Sequence, residues 1–267
     1  MSDFDKDFIL SKLKSYSLTG INQKLVDIKV LYVEIDSSVY YNSSQISNID
    51  NLKTNVTNSL QSYSNSVDLS KFGGRFKYSK VLNVIDDVDR SITSNITRVR
   101  VRRNLRALIN QEAQYELCFG NRFHVNPAGF NIKSTGFKII NEPDIVYLTD
   151  IPNADRMTGV LSIVKPIEET GENRVVIKSA GIVDYLKGEV ILSTTLITET
   201  VVADDVIEIQ AFPESNDVVG LKDLYLEFDV SKSTINMVRD TISSGEKISG
   251  VGFKVTSSYS NGELKRG

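Results

Sequence analysis

Apolar and polar residues alternate through Leu25–Asn42, with Leu31, Val33, Ile35 and Val39 on odd positions and Tyr32, Glu34 and Asp36 between them. The run is dense in β-branched and aromatic residues, so it predicts a long strand whose odd face meets a core. Beyond it the period changes. Ile46, Ile49, Leu52, Val56, Leu60 and Tyr63 recur at three- and four-residue spacing, which predicts a helix. Ahead of the strand, Phe4, Phe8, Ile9, Leu13 and Tyr16 give residues 2–16 a helical apolar face, with Ser2 as its N-cap and Gly20 as its stop. Gly73–Gly74 mark a turn, after which Ser79 caps a second helix carrying Val81, Leu82, Ile85 and Val88. Strands follow near Ile96–Arg102 and Gln114–Phe119, completing a β-α-α-β-β order of helices layered on a sheet.

From Asn121 the texture shifts to short β-rich runs separated by turns: FKII, DIVYLTD, GVLSIVKP, RVVIKSA, GEVILST, DVIEIQAF and DLYLEFDV. Such spacing predicts a mostly antiparallel β region. Within it GIVDYLKGEVIL reads as a hairpin, with Gly188 supplying a left-handed residue to its loop. Ser233–Ser243 reads as a closing helix and Ser257–Gly267 as a frayed tail. The fold class is therefore α+β: a leading helix and connector over residues 1–24, an α+β domain over 25–120, and a β-rich domain over 121–267 with a short C-terminal helix and tail.

The helix at Ile46–Tyr63 has an unusual outer face: Asn48, Asn51, Asn55, Asn58, Ser59 and Ser62, with only Asp50 and Lys53 charged. Asn and Ser are weak helix formers, and a solvated face normally carries Glu and Lys. An amide costs less to bury than a charge, so the face is either packed against a neighbour or a plain surface in a Ser/Asn-rich chain. Charge adds a second asymmetry. The net charge is −3, but residues 1–120 hold 16 Lys/Arg against 13 Asp/Glu, and residues 121–267 hold 15 against 21. The two parts, or two copies, carry opposite signs. Cys118 is the single cysteine, which excludes an internal disulfide framework. The start, MSDFDKDFILSKLKSYSLTG, lacks the basic opening and unbroken apolar run of a signal peptide, so the expectation is a soluble intracellular product.

Candidate chemistry is sparse. His124 is the only histidine and sits before VNPAGF, six residues after Cys118. One His and one Cys do not make a zinc site, and a cysteine on a strand is ordinarily a small buried apolar group. Asp86, Asp87 and Asp89 form an acidic knot near a helix end, where a basic neighbour is expected as their partner. No phosphate-loop or nucleophile-elbow motif occurs, and SGEKISGVGF lacks a strand-to-helix context. The reading is of a non-enzyme without a cofactor or metal.

What stands out is RVRVRRNLR, residues 98–106. On a strand Arg98, Arg100 and Arg102 point to one face and Val99 and Val101 to the other. Like charges in a ladder repel unless anions lie across them. Phosphates would serve, but no aromatic residue interleaves with the arginines to stack bases. Carboxylates serve equally, whether from the Asp86–Asp89 knot or the acidic second part, and Arg is suited to pair them at interfaces. The interface candidates are Arg98, Arg100 and Arg102, the polar positions Asn48, Asn51, Asn55 and Asn58, and a hairpin edge at Tyr185 and Gly188.

Several stretches occur in one order along nearly the whole chain: KLKSYSLTG, VLYVEIDSSVYYN, the helix Ile46–Tyr63, KFGGRFKYSKVLNVIDDVDRSITSNITRVRVRR, YELCFGN, GIVDYLKGEVIL and AFPESNDVVG. This ordered set resembles the C-terminal portion of the baseplate wedge protein of T4-like contractile-tailed phages, the large member of the baseplate J-like family. The resemblance implies a structural virion protein, made in the host bacterial cytoplasm, whose copies pair within a wedge and join wedges into a ring around the tail hub. It implies itself (as a homodimer) and other wedge proteins as partners, with no nucleic acid, membrane or small-molecule substrate. Members of this type are longer, so it also implies a fragment or a shortened relative. Two other classes stand beside it: a carbohydrate- or receptor-binding β module of a phage tail, and a nucleic-acid binder acting through the Arg98–Arg106 strand.

Overall fold

In the computed structural model, residues 3–17, 25, 28–66, 69–166, 173–241, 259–260 and 263–264 are described. The cap expected at Ser2, the stop at Gly20, the SGEKISGVGF stretch and most of the expected tail lie outside these residues. In chain order the elements are α1 (Asp3–Lys14), β1 (Lys29–Tyr41), α2 (Ile49–Ser64), β2 (Lys71–Phe72), β3 (Arg75–Phe76), α3 (Tyr78–Asp86), β4 (Ile92–Arg106) and β5 (Glu112–Cys118). There follow β6 (Lys133–Ser134), β7 (Phe137–Ile139), β8 (Glu142–Pro152), β9 (Thr158–Pro166), β10 (Asn173–Asp184), β11 (Glu189–Thr200) and β12 (Val206–Ala211). The last are β13 (Val218–Val219), β14 (Leu224–Phe228), β15 (Thr234–Arg239), β16 (Tyr259–Ser260) and β17 (Glu263–Leu264).

The alternation in Leu25–Asn42 becomes β1, the central strand of a seven-stranded sheet in the order β2-β14-β1-β4-β12-β6, with β15 as the seventh strand, also paired to β1. Its odd residues Leu31, Val33, Ile35 and Val39 are fully buried, and they join Val99 and Val101 of β4 and Ile207 and Ile209 of β12. Val56 and Leu60 of α2 and Val81 and Ile85 of α3 belong to the same apolar cluster. On its other edge β1 is shared: Lys29–Val33 pair in parallel with β14, and Asp36–Tyr41 pair in parallel with β15. Between those two strands the chain makes a short excursion, pinned by Asp229 N–H to Val33 O (2.9 Å) and Ile35 N–H to Ser233 Oγ (3.1 Å).

One expectation is corrected here, and another holds in part. The closing helix at Ser233–Ser243 is instead strand β15 over Thr234–Arg239, with residues 242–243 outside those described. The open edge of β1 supplies hydrogen-bonding partners, and Ile235 is buried on the strand face, so β-branched residues in an ambiguous short run are taken into the sheet. The α+β class holds in part: among the described residues three helices accompany a structure built mostly from strands. In addition, β12, β14 and β15 come from beyond residue 200 yet flank β1 and β4, so the change of texture at residue 121 is not an edge of this sheet.

The remaining long strands close on themselves. β10 pairs β9, β9 pairs β8, β8 pairs β7, β7 pairs β11 and β11 returns to β10, forming a five-stranded antiparallel barrel, with β5 added alongside β11. Closure removes the exposed edges that a flat sheet of this size would present. Phe137, Val146, Leu148, Leu161, Ile163, Val183, Val190 and Leu192 of the barrel share the same apolar cluster as the sheet.

Candidate functional site

The arginine strand is where the structure departs most from a simple ladder. The register places Asp36 opposite Arg98, Glu34 opposite Arg100 and Tyr32 opposite Arg102 on β1. From the other side, β12 sets Gln210 opposite Arg102 and Glu208 opposite Asn104. Arg102 is therefore flanked on both sides by polar neighbours, and it is only 2% exposed.

Its guanidinium is nearly saturated. Nε donates to Glu34 Oε1 at 2.5 Å, one terminal nitrogen donates to Asn104 Oδ1 at 2.6 Å and Glu208 Oε1 at 3.3 Å, and the other donates to Asp229 Oδ2 at 2.7 Å. The Tyr32 ring lies 4.1 Å from the guanidinium carbon, a cation–π contact. The excursion between β14 and β15 is what delivers Asp229. Charge balances across the cluster: Lys232 pairs with Glu208, and Arg100 stands 4.0 Å from Glu34, so three cations meet three carboxylates. Gln210 Nε2 satisfies the second oxygen of Glu34 at 3.0 Å. Desolvating so many charges is repaid only when every lone pair and proton finds a partner, and this geometry nearly achieves it. The Arg100 Nε is the exception, buried without a partner. Burial and the neighbouring Asp229 push the Glu227 carboxyl above the usual range, against a smaller opposite pull from Arg102, and burial with Glu227 raises the Tyr32 phenol.

Carboxylates thus answer the arginine strand, but they are the chain's own. Arg102, an interface candidate of the sequence, has its side chain spent inside the fold. Glu208 and Asp229 come from the acidic second part, whereas Glu34 was not singled out, although its position two residues from Tyr32 on the strand's even face put it on the arginines' side. Arg98 stays exposed, with a contact inside the chain, and it lines a shallow depression of about 390 Å³ with His124, Phe212 and Glu214. Arg103, not a candidate, is also buried; it donates to the Cys118 carbonyl, and burial lowers its pKa.

The hairpin candidates are likewise placed inside the fold. The β10–β11 hairpin forms, and Gly188 has the expected left-handed φ of +69°. However, Tyr185 is 1% exposed and Gly188 is buried, so neither offers an edge to a partner. The Tyr185 hydroxyl donates to Asp150 Oδ2 at 2.6 Å, and Asp150 Oδ1 accepts the Ile132 N–H at 2.6 Å. Gly159 leaves room for this ring: a Cβ there would lie 2.5 Å from the hydroxyl. Gly188 packs on the backbone of Asn121, whose oxygen would be 1.9 Å from an added Cβ.

The four asparagines all lie on the exposed side of α2. Asn48 has a local purpose: its Oδ1 accepts the N–H groups of Asp50 (2.9 Å) and Asn51 (3.2 Å) as the N-cap. Asn51, Asn55 and Asn58 have no such terminus to cap. In the acidic knot, Asp86 accepts from Asn95 Nδ2 (2.7 Å) and Asp89 accepts from the Ser91 hydroxyl and amide, which lower its pKa. The Cys118 thiol is raised by burial, away from the thiolate that a nucleophile needs.

Residues 29–104 match the family described as "Baseplate structural protein gp6, C-terminal domain III". The matched segment runs from the first residue of β1 almost to the end of β4 and contains α2, α3 and the arginine strand. Over this segment it bears out the resemblance to a phage baseplate structural protein. No curated protein matches the chain significantly.

Proposed function

We propose that this chain is a self-associating structural component of the baseplate wedge of a contractile phage tail, residing in the virion and joining wedges into a ring around the hub. The observation that carries the reading is the baseplate-protein match over residues 29–104. In this reading the chain pairs with itself as a homodimer and also meets other wedge proteins. The helical layer is an exposed surface suited to this, where Asn51, Asn55 and Asn58 present amides that a neighbour can cover cheaply. The nucleic-acid alternative is weakened because Arg102 is buried and spends four of its five N–H donors on the chain's own oxygens.

Light scattering behind a sizing column, over a wide concentration range and at two salt levels, tests this. A dimer that persists on dilution is the expected result. A monomer at every concentration overturns self-association of this chain.

A further inference from the structure

Helix α3 is charged the wrong way round for an isolated helix. Lys77 is its N-cap residue and Lys80 stands in its first turn, whereas Asp86 ends it and Asp87 and Asp89 follow. The macrodipole disfavours cations at the N-terminus and anions at the C-terminus, so both ends are penalised. The basic end is further loaded, because Lys71, Arg75, Lys77 and Lys80 together line one cleft of about 220 Å³. No acidic residue occurs between Leu69 and Ile85, and among the described residues Asp217 reaches this end, accepting the Tyr78 N–H at 2.8 Å. Lys71 and Lys80 each hold a contact within the chain, but an ammonium has three donors and can add another partner.

The outer face of α3 is symmetric in a way that matches these charges. Val81 and Ile85 are buried, while Ser79, Lys80, Asn83, Asp86 and Asp87 are exposed. Asn83 is the midpoint: Lys80 and Asp86 lie three residues on either side, and Lys77 and Asp89 lie six. Two such helices laid antiparallel about Asn83 place each Lys80 level with the other's Asp86 and bring each N-terminal Lys77 toward the other's Asp87–Asp89 end. Each acidic end then meets a positive helix terminus, and each basic end a negative one. The centre of the contact is Ser79 and Asn83, small enough for helices to approach closely.

We propose that α3 is the self-recognition element of the chain, pairing antiparallel with α3 of a second copy across a two-fold axis at Asn83. This rests on the self-association reading above and assigns it a surface. A two-fold contact needs a patch complementary to itself, and a helix with opposite charges at equal distances from its middle is such a patch. The exposed Asn51, Asn55 and Asn58 of the neighbouring α2 would border the same contact.

The test is charge reversal in the full chain. Lys77→Glu with Lys80→Glu makes α3 acidic throughout, and Asp86→Lys with Asp87→Lys makes it basic; Asp89 is kept because it holds Ser91. Each variant alone is expected to lose dimer affinity by about tenfold or more, because like charges are juxtaposed. Mixed in equal amounts, they are expected to recover a dimer, now acidic helix against basic. All four side chains are exposed, so circular dichroism should match the parent, and melting should shift only by the relieved helix-end penalty and, in the basic variant, by the lost Asp86–Asn95 hydrogen bond. If the parent dimerises and both variants dimerise equally well, the contact lies elsewhere; the α3 assignment falls while self-association stands. The assignment is equally overturned if each variant is weakened but the mixture is not restored. A monomeric parent removes both.

Discussion

Arg102 and Glu34 occupy adjacent strands yet are not opposite each other in register; Arg102 reaches diagonally past Tyr32 to place Nε 2.5 Å from Glu34 Oε1, both side chains being almost fully buried. The pair ties the central strands β1 and β4 to β12 and to the excursion that carries Asp229, so four segments distant in sequence depend on one guanidinium.

Removing that guanidinium takes one charged partner from each of three carboxylates. Arg102→Met should cost about 3–5 kcal/mol, since breaking a buried ion pair leaves uncompensated charge. Urea denaturation followed by circular dichroism measures it. Adding Glu34→Gln to Arg102→Met should recover part of the loss by removing the worst stranded charge. A loss below about 1 kcal/mol for the single variant would show that water replaces the guanidinium and that the cluster is not structural.

Glu227 gives a pH signature. Its folded pKa lies above that of the unfolded chain, so the native state binds the proton more readily, and stability from this group falls as pH rises through the window between the two values. Glu227→Gln should therefore raise the melting temperature at neutral pH, with the gain vanishing below the ordinary glutamate range. A gain that persists unchanged in acid would point to packing instead.

The Tyr185 hydroxyl is a buried strut for Asp150. Tyr185→Phe should destabilise the chain by about 1–3 kcal/mol, the cost of leaving a buried acceptor unsatisfied. Thermal unfolding would reveal this, and no change in dimer affinity should accompany it because the ring never reaches the surface.

At Gly188 both backbone and space are constrained. Gly188→Ala would strain the positive φ, at about 1–2 kcal/mol, and drive a Cβ into the Asn121 oxygen, so the total should exceed that figure. Soluble yield and melting temperature are the readouts; a variant as stable as the parent would mean the 119–121 segment moves freely.

Asn48 and Asn55 separate capping from packing. Asn48→Ala should cost about 1 kcal/mol of stability through loss of the N-cap and leave association unchanged. Asn55→Lys, on the exposed face of α2, should leave stability nearly unchanged and weaken self-association. Equilibrium denaturation and light scattering on the same two proteins check both halves.

Local pattern in the sequence was enough for the existence and type of most elements. The two-residue alternation of Leu31, Val33 and Ile35 and the helical recurrence of Leu52, Val56 and Leu60 are set by backbone geometry, which holds wherever a chain has one face to bury. The left-handed turn at Gly188 is of the same kind, because a residue without Cβ carries its conformational preference with it. Tertiary structure alone decided what lies beside what. The Thr234–Arg239 run became a strand because β1 had an open edge, a fact located some two hundred residues earlier in the chain. Arg98 and Arg102 look alike in RVRVRRNLR, and only the arrival of β12 and Asp229 makes one of them buried and the other exposed. A charged side chain's role depends on the dielectric and the partners around it, and those are contributed by distant segments that no local window contains.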